Sequence, residues 1–112
     1  MTQRDVVLRW IEQIAAVVRR MVYGPGPLDL QMARRHVEEA TTQHLGPLAP
    51  VISKLGVESA ATLLADHHRI MGLALLLELQ ASIEEAENKP GEAARLRERA
   101  AGFRSEARHF PA

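Results

Sequence analysis

Cysteine is absent from this 112-residue chain. Its absence excludes disulfides, zinc–thiolate centres and a cysteine nucleophile, and it fits a reducing compartment. Aromatic residues are scarce: Trp10, Tyr23, Phe103 and Phe110 are the whole set. The core must therefore be built from aliphatic and small side chains. No apolar run reaches the roughly 20 residues of a membrane-spanning helix, because Glu78 interrupts the best one. Arg4 and Asp5 precede an amphipathic segment, not a plain apolar stretch, so no signal peptide and a cytoplasmic location are expected. No segment shows the β-branched alternation of a strand, and no sheet is expected. Net charge is also lacking, with 14 basic and 14 acidic residues. Phosphate affinity rests on excess positive charge, so nucleic acid is not an expected partner.

Hydrophobic residues make up 46% of the chain, enough for one core, and the length suits a single domain over 1–112. Charge is unevenly spread. Residues 1–35 carry six arginines against three acids, 36–92 nine acids against three bases, and 93–112 five arginines against two glutamates. Basic terminal segments packed beside an acidic middle account for this pattern.

The most informative segment is residues 70–79, Ile-Met-Gly-Leu-Ala-Leu-Leu-Leu-Glu-Leu, apolar on nearly every side of a helix. A helix apolar all round belongs at the centre of a domain or against another chain. Leaving three leucines in water would forgo about 5–9 kcal/mol, at about 1.5–3 kcal/mol each. That loss rivals the whole stability of a typical domain.

The helices around it follow from periodicity and punctuation. Residues 5–23 predict a first helix with Val7, Ile11, Ile14, Val18 and Met21 on a heptad-like seam, widened by Val6, Trp10, Val17 and Val22. Gly24-Pro25-Gly26-Pro27 ends it. Asp29 is the expected N-cap of a second helix, whose buried side carries Leu30, Ala33, Val37, Ala40 and Thr41 and which Gly46-Pro47 closes. A short helical piece after Pro50 is expected to stop at Gly56, read as a C-terminal cap. Another short helix covers 57–65, and propensity leaves open whether it breaks at Asp66 or runs on. A long helix spans about 67–88. Asn88-Lys89-Pro90-Gly91 turns the chain into a last helix reaching about Arg108, with Ala93, Leu96, Ala100, Phe103, Ala107 and Phe110 on its seam. The expected fold is all-α: four to five helices in a compact bundle ending in a long antiparallel hairpin.

The opening Asp5-Val6-Val7-Leu8-Arg9-Trp10-Ile11-Glu12 resembles that of a bacterial family of small helical proteins of unknown function. The likeness lies in the spacing of Asp5, Arg9, Ile11 and Glu12, and later in Leu75-Leu76 and Arg99-Ala100. It implies an all-helical fold and carries no activity with it. The 67–108 hairpin is also similar to a single tetratricopeptide unit, through Ala81 in its first helix and Glu92-Ala93 and Ala100 in its second. That likeness implies protein–protein interaction. No second repeat is visible at a period near 34 residues.

Chemistry-bearing residues are few. Asp66-His67-His68 is the most concentrated polar cluster, but adjacent helical residues point about 100° apart and do not readily grip one ion. A capping Asp with two interhelical or surface histidines is the reading preferred here. His36 and His44 are eight apart, about 12 Å along a helix, too far to share a metal. Glu106 and His109 have the Glu-x-x-His spacing of di-iron bundles, which need two such pairs. Ser53, Ser59, Ser82 and Ser105 lack a nucleophile-elbow pattern. The Gly-Pro repeat is no phosphate loop, because each Pro removes an N–H. Glu84, Glu85 and Glu87 read as a solvated face. Arg97, Arg104 and Arg108 read as a stripe paired with Glu98 and Glu106.

The function expected from these features is a non-enzymatic, homodimeric helical interaction protein. Val7, Ile11, Ile14, Val18, Leu73, Leu76 and Leu77 are the expected interface. The alternative is a small metal- or ligand-binding bundle using His67, His68, Glu106 and His109. No cofactor is implied.

Overall fold

The computed structural model describes residues 3–23 and 29–112, and the side chains of these except residues 3, 4, 5 and 7. The Gly24–Pro27 breaker therefore lies outside the described residues, as does the Val7 side chain. Six α-helical segments follow one another: α1 (Gln3–Tyr23), α2 (Leu30–Leu45), a single turn α3 (Ala49–Ile52), α4 (Val57–Leu64), α5 (His67–Ala86) and α6 (Pro90–Ala107). A 3₁₀ turn, Gly46–Leu48, links α2 to α3. No strand occurs among the described residues, and the chain is an all-α bundle ending in the expected antiparallel hairpin. Among the described residues no helix is long and apolar enough to cross a membrane.

Local chemistry explains most of the boundaries. The Asp29 carboxylate accepts from the Met32 N–H at 2.9 Å and starts α2. Gly46, with φ 59 and ψ −138, ends it in a conformation that favours glycine. Asp66 caps α5 by accepting from the Arg69 N–H at 2.9 Å. The chain does break before α5. Ala65 adopts the left-handed conformation at φ 51 and donates to Ala61 O at 2.9 Å, closing α4. Gly56 does not have the expected role. It lies at the N-terminus of α4, with extended φ −66 and ψ 165, and accepts from Ala60 N at 2.9 Å. The end of α5 is a Schellman turn. Asn88, at φ 63, donates to Glu85 O at 3.0 Å and Lys89 donates to Glu84 O at 2.9 Å, after which Pro90 opens α6.

Packing accounts for the apolar run. Its N-terminal half, Ile70, Leu73 and Ala74, joins a cluster with Ile52, Ala60, Leu64, Ala100, Phe103 and Ala107 from α3, α4 and α6. Its C-terminal half, Leu76, Leu79 and Ile83, joins Ile11, Ala15, Val18, Ala33 and Val37 from α1 and α2. One helix serves two cores, so its apolar residues point all ways.

The expected subunit seam is used inside one chain. Ile11, Val18, Leu73 and Leu76 are each 3% exposed or less, covered by the chain's own helices. Ile14 and Leu77 are half-buried at the edges of the two clusters. Ile11, Val18, Leu73 and Leu76 are therefore core side chains of this chain. The centre of the α1 face includes Ala15, while Val6 and Val17 on its flank are exposed.

Candidate functional site

The covering of α5 is incomplete along one strip. His68, Met71, Leu75, Glu78 and Ser82 recur at helical spacing and are all half-buried. Helix α1 stands on one side of this strip with Leu8, Glu12, Ala15 and Arg19, and α6 on the other with Arg97, Ala101 and Arg104. The result is a groove in two stretches of about 520 and 380 Å³. Both stretches are lined by Arg19 and Arg104, so they run into one another. The floor from His68 to Ser82 is about 21 Å long at 1.5 Å per residue.

The groove's polar groups are held in fixed places. Arg104 donates to both carboxylate oxygens of Glu78, through Nε at 2.7 Å and Nη2 at 2.9 Å. This fork raises the affinity of Arg104 for its proton. Arg97 pairs with Glu85. Both bridges cross the hairpin from α6 to α5, which corrects the expectation that these arginines pair with Glu98 and Glu106 on their own helix. Glu84 also departs from the solvated reading. It is buried and accepts from Arg34 of α2 at 2.7 Å, while Arg34 Nη2 reaches Glu87 at 2.8 Å.

At the groove's end, His67 Nδ1 bonds to Ala107 O at 2.8 Å. A carbonyl only accepts, so Nδ1 carries the proton. This is the interhelical histidine expected from the sequence. The His67 and His68 rings meet edge to face at 5.3 Å. His68 Nδ1 is buried with no hydrogen-bond partner among the described residues. His109 and His36 are exposed, and Glu106 is half-buried. His67, His68, Glu106 and His109 are not gathered into a metal centre: among the described residues no three His, Asp or Glu side chains are placed to hold an ion.

Two residues with clear structural roles were missed by the sequence reading. His44 is buried on α2 and donates from Nε2 to Arg69 O at 2.8 Å. Burial holds its imidazole below the ordinary 6.5, against the opposing effect of that hydrogen bond. Arg99 donates to Leu55 O and Ile52 O, each at 3.0 Å, and stacks over the Phe103 ring at 5.0 Å. It thereby ties α6 to the α3–α4 connection.

Comparisons with protein-family models, with curated proteins and with solved structures find no match to this chain. The groove, and not kinship, must carry the functional reading.

Proposed function

We propose that the protein is a non-enzymatic helical interaction protein that receives a partner helix in the groove between α1 and α6. The strip of α5 left half-covered between two flanking helices carries this reading. A helix laid there would meet Met71 and Leu75 on the floor and polar walls on both sides, as in helix-in-groove recognition. Arg97 and Arg104 on the α6 wall are already engaged with Glu85 and Glu78, which suits a docking surface better than acid–base work. The test is a nuclear magnetic resonance titration with a synthetic amphipathic peptide about five helical turns long. Its apolar face is Ala and Leu and its polar face is uncharged Gln. Shifts confined to residues such as Met71, Leu75 and Ala101 are expected. Shifts elsewhere, or none, would refute the reading.

Self-association is a second reading. It is favoured by Val6, 51% exposed, and Val17, 43% exposed, which share the outer flank of α1. They lie 11 residues apart, within about 20° of one another around the helix. A second copy laid along this flank would cover both. Light scattering should then report a dimer that Val17→Asp dissociates without unfolding. A monomeric wild-type protein would remove this reading.

A further inference from the structure

We infer that the groove selects a helix bearing a carboxylate near its middle, clamped between Arg19 and Arg104. The inference rests on the docking reading above and adds the chemistry of the partner. Arg19 projects from the α1 wall and makes no ion pair with any described residue. Arg104 is aimed by its fork on Glu78, which uses Nε and Nη2 and leaves Nη1 without a hydrogen bond to a described residue. The two arginines line both stretches of the groove, so they flank the point where the stretches meet. Glu78 is already neutralised by Arg104, so the unmatched charge at this junction is the positive charge of Arg19.

Glu12 gives the groove a direction. It lies on the same wall, seven residues before Arg19, about 10 Å along α1 towards the histidine end. An acid on the occupant is therefore favoured at the level of Arg19 and disfavoured at the level of Glu12. A carboxylate at the centre reads this pattern correctly, and one displaced two turns towards His67 and His68 does not. An acidic amphipathic helix of a partner protein is the occupant with this chemistry.

Three peptides test this, differing from the uncharged probe only at its central polar position, which is Gln, Glu or Lys. Full-length protein should bind the Glu peptide about tenfold tighter than the Gln peptide, a preference that shrinks as salt rises. Arg19→Ala should abolish the preference while leaving the circular-dichroism spectrum and melting temperature unchanged, since Arg19 has no described ion pair to lose. Arg19→Glu should reverse it in favour of the Lys peptide, an outcome that general loss of structure would not produce. Equal binding of the Glu and Gln peptides in the groove overturns this inference and leaves the docking reading standing. No binding of any peptide overturns both. A Glu preference that survives Arg19→Ala also overturns the clamp.

Discussion

Gly72 gives opposite signs to two simple expectations, so replacing it with alanine is the sharpest test of the packing. It lies inside α5, where helix propensity alone predicts that Gly72→Ala stabilises by about 0.8–1.0 kcal/mol. The structure predicts the reverse. A Cβ at this position would come within 2.8 Å of His44 Cε1, His44 Nε2 and Ile11 Cδ1, from α2 and α1. Such contacts require a shift, and overpacking a close-packed site costs about 1–3 kcal/mol. The atom that must move also donates to Arg69 O at 2.8 Å, and a carbonyl left unpaired there costs about 1–3 kcal/mol more. After the propensity gain is subtracted, the net loss is about 1–5 kcal/mol. At roughly 4 °C per kcal/mol, the melting temperature should fall by about 4–20 °C. Gly91→Ala is the control. Nothing lies within 4 Å of its would-be Cβ, so it should hold or gain stability. Urea unfolding followed by circular dichroism measures both. A Gly72→Ala protein as stable as wild type, or more so, would refute the three-helix contact. Adding His44→Ala should make the pair of substitutions cost less than their sum, because two of the three clashing atoms are gone.

Other predictions concern the buried polar groups. His44 titrates below 6.5 when folded and near 6.5 when unfolded, so the unfolded state binds more protons below that value. Stability should be full above 6.5 and fall as pH drops through it; His44→Gln should flatten melting temperature against pH over this window, and an unaltered slope would count against a buried neutral imidazole. Arg34→Ala leaves the Glu84 carboxylate buried with, among the described residues, only the Lys89 ammonium at 3.9 Å, and should cost about 1–3 kcal/mol in urea unfolding. Arg34→Met with Glu84→Leu should recover most of that loss. Arg99→Lys cannot fork to two carbonyls and should lose about 1–3 kcal/mol, nearly as much as Arg99→Ala; full retention by the lysine variant would show that charge alone suffices.

The helices were legible where a residue type forces a backbone choice. Asp29 and Asp66 cap helices, and Pro90 opens one, because side-chain acceptors and a fixed φ act locally. The break at Ala65 was not legible. Alanine is the best helix former, and nothing in its own side chain announces φ 51, a conformation costing roughly 1–2 kcal/mol. Gly56 was misread for a related reason. Glycine signals that the chain leaves one element, but the short α3 turn ends at Ile52, before it, so Gly56 serves the helix that follows. The apolar run of α5 announced a central helix. That its two halves enter different cores depends on where α1, α2 and α4 come to rest.

The groove was harder to read, because its walls come from opposite ends of the chain and its charges pair across helices. One signal was nevertheless present. Glu78 and Glu85 are seven apart, Arg97 and Arg104 are seven apart, and the two sets can pair in mirrored order, Glu85 with Arg97 nearer the turn and Glu78 with Arg104 farther from it. An antiparallel hairpin brings its two helices together in that order, and the structure contains both bridges. The neighbour rule favoured Glu98 for Arg97, yet adjacent helical residues diverge by about 100°. Mirror spacing is the stronger guide once a hairpin is granted. Applied to the walls, it separates the arginines of α6 that serve the fold from Arg19. Arg19 stands on a helix outside the hairpin and makes no ion pair with a described residue, which is why the proposed clamp is built on it.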